Sequence, residues 1–96
     1  MTAAILEILQ QRVRTLNKKL AQAQAKLRHV TVQIQECDQA MLQAQQHGNV
    51  QQVRQCLMNK KQLQEQIPSL QHSVANIEKS LRLFERQLQQ NLEIQQ

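Results

Sequence analysis

The sequence predicts an all-α fold, an antiparallel two-helix coiled-coil hairpin. Glycine, proline and aromatic residues each occur once in 96 residues, as Gly48, Pro68 and Phe84. β-Sheets need turn residues and favour aromatic and β-branched side chains, so this composition disfavours them. The apolar residues follow two heptad patterns, and the glycine lies between them. We therefore expect a single helical-hairpin domain over residues 1–96.

The first helical arm, expected over residues 3–47, has an unbroken seam of apolar residues. Successive members are three and four residues apart in alternation, which is the spacing of a coiled coil. This first seam consists of Leu6, Leu9, Val13, Leu16, Leu20, Ala23, Leu27, Val30, Ile34, Cys37, Met41 and Ala44.

The second arm, expected over residues 50–95, has a seam with the same spacing and one polar member, Lys60. We expect Lys60 either to extend its ammonium group towards Glu36 and Asp38 or to fix the pairing register. This second seam consists of Val53, Cys56, Lys60, Leu63, Ile67, Leu70, Val74, Ile77, Leu81, Phe84 and Leu88.

The two seams are mirror images of each other about the glycine. Opposed residues such as Leu20 and Ile77 are equally far from the chain midpoint. A single continuous helix would instead have to change its apolar face there. We therefore predict a turn at residues 48–49, with Gly48 at positive φ and Asn49 as the N-cap of the second helix.

Pro68 is predicted to kink the second arm. Inside a helix, proline removes one backbone hydrogen bond and clashes with the preceding turn, at a cost of about 3 kcal/mol. The seam continues in phase through Pro68, from Ile67 to Leu70, which favours a kink over a break. The alternative is a three-helix bundle in which Pro68 begins the third helix.

No catalytic, cofactor-binding or metal site is predicted. The carboxylates are scattered, and no nucleophile–base pair or glycine-rich phosphate loop can be assembled from the sequence. Cys37 and Cys56 are expected about one helical turn apart, too far for an easy disulfide. A metal site needs three or four converging ligands, and the three histidines fall in different places.

A candidate partner-binding surface lies where the two termini meet, because apolar residues off the seam are accompanied there by basic ones. Such clusters are typical of interfaces, although frayed, solvated ends would give the same pattern. We expect an acidic or helical protein partner, or a second copy in a homodimer. This open-end surface consists of Ile5, Ile8, Arg12, Arg14, Lys18, Lys19, Lys79, Arg82, Leu83, Arg86, Leu92 and Ile94.

The formal net charge of +5 is compatible with an acidic partner but does not indicate nucleic acid by itself. Single-stranded nucleic acid favours stacking aromatic residues, which are nearly absent. An anionic membrane surface is a less favoured alternative. No apolar run approaches the roughly 18 residues of a membrane span, so we expect a cytoplasmic protein.

The second arm resembles tubulin-binding cofactor A, a small folding chaperone. The likeness rests on VRQ at 53–55 and IPSL at 67–70, followed by Val74, Ile77 and Leu81. It implies a chaperone that acts in tubulin folding. The chain departs from that family in having no tyrosine.

The stretch from Gly48 through Lys60-Lys61, Gln66-Ile67 and Ile77-Glu78 resembles the core hairpin of ESCRT-III membrane-remodelling proteins, which implies a membrane-surface polymer subunit. In shape, the chain is also similar to flagellar and type III secretion stalk proteins. Our leading expectation is a non-enzymatic scaffold, stalk or small chaperone in a protein assembly or protein-transport machine. The ESCRT-III-like and tubulin-cofactor-like functions are the alternatives.

Overall fold

The computed structural model describes residues 2–95, without the side chains of Thr2 and Gln95. It contains two helices, α1 (Thr2–Gln46) and α2 (Val50–Gln95), joined by a turn at residues 47–49. They form an antiparallel helical hairpin, which confirms the predicted all-α fold. The first helix begins and ends one residue earlier than the predicted arm.

Contacts divide the hairpin into two compact units, each built from a segment of both helices. The terminal unit contains Met1–Gln24 and His72–Gln96, and the turn unit contains Ala25–Gln71. In both units, the helices pack because each presents one apolar stripe and has no other face suited to a core.

The predicted seam is confirmed by burial. Every seam side chain is buried or half-buried, whereas most other side chains are exposed. The most buried members are Leu9, Ala23 and Leu81 in the terminal unit, and Val30, Ala44 and Cys56 in the turn unit.

The second seam extends one position further than predicted, to a polar residue. Asn91 follows Leu88 by three residues and is half-buried. Its side-chain amide donates a hydrogen bond to the Gln87 carbonyl over 2.8 Å, which satisfies one of its donors locally. The seam therefore has two polar members, Lys60 and Asn91.

The turn ends α1 with a Schellman motif. Gly48 has φ of 67°, a left-handed conformation that costs other residues steric energy. The Gly48 N–H donates to the Gln45 carbonyl over 3.1 Å, and the Asn49 N–H donates to the Ala44 carbonyl over 2.9 Å. These bonds satisfy carbonyl groups that the helix end would otherwise leave unpaired.

Asn49 then starts α2 as its N-cap, as predicted. Its side-chain oxygen accepts a hydrogen bond from the Gln52 N–H over 3.2 Å. Its side-chain amide donates to the Gln52 side-chain oxygen over 3.2 Å, so the same two residues are joined twice. The glycine and the asparagine therefore have separate functions, ending one helix and beginning the next.

Pro68 lies inside α2, which continues through it. The alternative in which Pro68 begins a third helix is therefore wrong, because α2 runs from Val50 to Gln95 without a break. The kink at Pro68 stays a prediction. Neither α1 nor α2 contains a segment long and apolar enough to cross a membrane.

Candidate partner-binding surface

All residues of the predicted open-end surface belong to the terminal unit, and all are exposed. Its apolar members differ in degree, from Leu92 at 40% exposure to Ile94 at 77%. The structure thus places these residues off the seam, as the heptad pattern predicts. By the helical repeat, they belong to several different rows around the helix pair.

The helical repeat explains this distribution. Where two successive seam residues are four apart, three residues lie between them. The first of these lies on one side of the helix pair, the second faces away from the other helix, and the third lies on the opposite side of the pair. Between Leu16 and Leu20, this rule places Lys18 on the outer face and Lys19 on a flank. Lys79 and Arg86 face outward for the same reason.

One side of the terminal unit, here called the basic flank, is formed by the last residues of these four-residue steps. It contains Ile5, Arg12 and Lys19 from α1, and Ser73, Ser80 and Gln87 from α2. In antiparallel helices, corresponding rows meet on the same side. The turn unit shows this directly, since Gln33, Ala40, Asn59 and Gln66, all from such rows, line one groove.

The basic flank contains a groove of about 260 Å³ with an apolar floor and a cationic wall. Its lining residues are Gln11, Arg12, Thr15, Leu16, Lys19 and Phe84. The Arg12 guanidinium carbon lies 5.3 Å from the Phe84 ring centroid, a cation–π contact. The Thr15 hydroxyl donates to the Gln11 carbonyl over 2.9 Å and is thereby held against the helix.

A second groove, of about 410 Å³, adjoins the first along α1. It is lined by Ala4, Glu7, Ile8, Gln11 and Arg12, so it shares Gln11 and Arg12 with its neighbour. Ile8 adds apolar surface beside the cations, and Glu7 adds one carboxylate at the edge. Together the two grooves extend along α1 over residues 4–19.

The opposite side of the terminal unit, here called the acidic flank, is formed by the first residues of the four-residue steps. It contains Gln10 and Asn17 from α1, and Glu78, Glu85 and Leu92 from α2. The terminal unit therefore has opposite charges on its two flanks. Among the described residues, the structure contains one ion pair, Lys60 with Asp38, so none of these flank charges is paired within the chain.

The two cysteines line a groove of about 420 Å³ in the turn unit, with Cys56 buried and Cys37 half-buried. Both thiols are free. In the part of the chain that the structure describes, no three His, Cys, Asp or Glu side chains are grouped so that they could hold a metal ion.

The sequence predicts Arg12 on the open-end surface and Phe84 in the seam, and heptad spacing alone does not predict a contact between them. The mirror relationship places Phe84 opposite Val13. The mirror relationship contains the missing signal, because Arg12 is the residue before Val13.

No known family model, curated protein or solved structure matches this chain.

Proposed function

We propose that this protein is a non-enzymatic, cytoplasmic scaffold that joins a larger protein assembly by binding an acidic helical segment along its basic flank. The observation that carries this proposal is the groove beside Phe84, where apolar carbon lies between two cations, Arg12 and Lys19. A helix-in-groove interface needs this combination of an apolar floor and a charged rim.

The spacing of the cations supports a helical partner. Arg12 and Lys19 are seven residues apart on α1, which corresponds to about 10.5 Å along the helix. Carboxylates two turns apart on a partner helix have the same spacing and would meet both cations. The rows that form the basic flank contain no carboxylate among the described residues, and Glu7 lies at the edge of the adjoining groove.

The chemistry of the same groove supports the non-enzymatic part of the proposal. Its polar groups are one amide, one hydroxyl and two cations. The Thr15 hydroxyl already donates to a backbone carbonyl, and the lining includes no base that could activate it as a nucleophile. These groups are suited to binding, and we assign no reaction to them.

The test is affinity capture from the source lysate with three versions of the chain. Wild type is compared with Lys19→Glu on the basic flank and with Lys18→Glu on the outer face. Both variants change the net charge equally, and both positions are exposed. We expect proteins retained by wild type and by Lys18→Glu to be lost with Lys19→Glu, and retention to weaken at high salt.

Equal retention by all three versions would contradict the proposal. Co-sedimentation with anionic vesicles tests the membrane alternative, since binding driven by net positive charge would fall equally with Lys18→Glu and Lys19→Glu. If the chain binds anionic vesicles in a salt-sensitive way and retains no protein through Lys19, the membrane-surface function would be favoured over the scaffold.

A further inference from the structure

The two flanks of the terminal unit have matching rows of residues. The Arg12–Phe84 contact places these two residues at the same level of the helix pair, and Glu85 directly follows Phe84. The helices are antiparallel, so residue numbers rise along α1 in the direction in which they fall along α2. A step of seven residues up in α1 and seven down in α2 therefore reaches residues that are again at the same level. Lys19 is therefore level with Glu78.

The same step in the other direction makes Ile5 level with Leu92. Along the hairpin, the basic flank thus presents isoleucine, arginine and lysine, and the acidic flank presents leucine, glutamate and glutamate at corresponding levels. The rows lie on opposite sides, so these residues do not meet within one molecule. Ile5 and Leu92 are exposed, and the four charged residues form no ion pair among the described residues.

We propose that the partner of the basic flank is a second copy of this chain, which presents the acidic flank of its α2, with Glu78 and Glu85. This inference rests on the proposed function and identifies the partner that binds the basic flank. The copies lie side by side in the same orientation, without an axial shift. Arg12 and Lys19 of one copy meet Glu85 and Glu78 of the next, and Ile5 meets Leu92.

Charge complementarity favours this occupant over other arrangements of two copies. A two-fold contact between basic flanks would oppose cation to cation, and one between acidic flanks would oppose carboxylate to carboxylate. A contact between the basic flank of one copy and the acidic flank of the next places complementary side chains together at all three levels. Because it joins different surfaces, it leaves one flank of each kind free and repeats into an open row or a closed ring.

The association should be weak and sensitive to salt, since exposed ion pairs contribute little individually and are screened. The groove beside Phe84 adds apolar contact to the paired charges. Ser73 and Ser80, also on the basic flank, present small side chains. A neighbouring helix can approach closely there.

Charge reversal tests the contact on the full-length chain by sedimentation velocity over a concentration series. Lys19→Glu and Glu78→Lys each oppose like charges between copies, so each variant alone should self-associate about tenfold more weakly than wild type. An equimolar mixture of the two variants should recover association, because Glu at 19 in one chain meets Lys at 78 in the other. The double variant in one chain should also recover it.

Lys18→Glu is the control for net charge and should associate like wild type, and circular dichroism checks that every variant stays helical. Loss of association in both single variants without recovery in the mixture would overturn the proposed pairing. A monomeric wild type that still retains other proteins through Lys19 would overturn this inference alone. A chain that neither self-associates nor retains proteins would contradict the proposed function as well.

Discussion

Lys60 donates a hydrogen bond from Nζ to Oδ1 of Asp38 over 2.6 Å, across the seam of the turn unit. The side chain lies partly in the seam and carries its charge out to the edge, which confirms the first of the two interpretations of this lysine. Asp38, rather than Glu36, is the partner because it lies on the flank that the ammonium group reaches. The role of Lys60 in fixing the register stays a prediction.

Replacing Lys60 with leucine should stabilise the protein. The ion pair is exposed, with 27% of the lysine and 48% of the aspartate side chain accessible, so its loss costs little. A leucine at this seam position buries more apolar area, and we expect a net gain of about 1 kcal/mol in the free energy of unfolding. Urea denaturation should show a higher midpoint with an unchanged slope.

Lys61→Leu is the matched control, since Lys61 is exposed and lies off the seam. It should leave the midpoint nearly unchanged. A Lys60→Leu protein that is less stable than wild type would show that the Lys60–Asp38 pair contributes more than the apolar seam can replace.

Two leucines in the same turn of α2 should respond very differently to truncation. Leu81 is 8% exposed and Leu83 is 53% exposed. Leu81→Ala removes buried carbon and leaves a cavity, so we expect a loss of about 2–4 kcal/mol in the free energy of unfolding. Leu83→Ala should change it by less than about 0.5 kcal/mol.

Urea denaturation followed by circular dichroism measures both leucine variants. A large loss for Leu83→Ala in the isolated chain would mean that Leu83 is covered in solution. Such a loss, if it grew with protein concentration, would identify a contact between copies that involves this residue.

The seam and the turn could be predicted from the sequence because both depend on local properties of the chain. Spacing decides which side chains share a helical face, and a left-handed backbone position such as Gly48 strongly favours glycine. The mirror relationship between Leu20 and Ile77 added the pairing of the helices. None of these depends on side-chain conformation.

The groove beside Phe84 could not be predicted in the same way. Its shape depends on how the Arg12 side chain folds over the ring of a residue on the other helix, which spacing does not determine. The open-end surface was predicted from sequence proximity to the termini, and this criterion grouped Lys18 with Lys19. The helical repeat separates them, since one faces outward and the other lines the groove.

Gly48→Ala should destabilise the hairpin through the backbone alone. A Cβ at this position would meet no atom within 4 Å, so sterics with neighbours do not contribute. The left-handed conformation, with φ of 67°, should cost about 1–2 kcal/mol in the variant. Gly48→Asn should cost less, because asparagine tolerates this conformation best among the other residues.

Thermal unfolding of wild type, Gly48→Ala and Gly48→Asn measures the order of their stabilities. Equal stability of the alanine and asparagine variants would indicate that the turn changes its conformation when the glycine is replaced.

Pro68→Ala should stabilise α2. Pro68 has no N–H to donate to the carbonyl of Gln64, and its ring crowds the preceding turn. The residue is exposed, so its replacement removes no core packing. We expect the free energy of unfolding to rise by up to about 3 kcal/mol, the difference between proline and alanine inside a helix. Ser69→Ala, at the neighbouring exposed position, should give only a few tenths of a kcal/mol.

Hydrogen exchange adds a local measurement, because Pro68→Ala introduces an amide that proline lacks. If that amide bonds to the Gln64 carbonyl in a regular helix, its exchange should be slowed as strongly as that of its neighbours. A protected amide together with increased stability would show that the proline strains α2, as the predicted kink requires. Unchanged stability would mean that α2 accommodates Pro68 without strain, and the kink prediction would then be wrong.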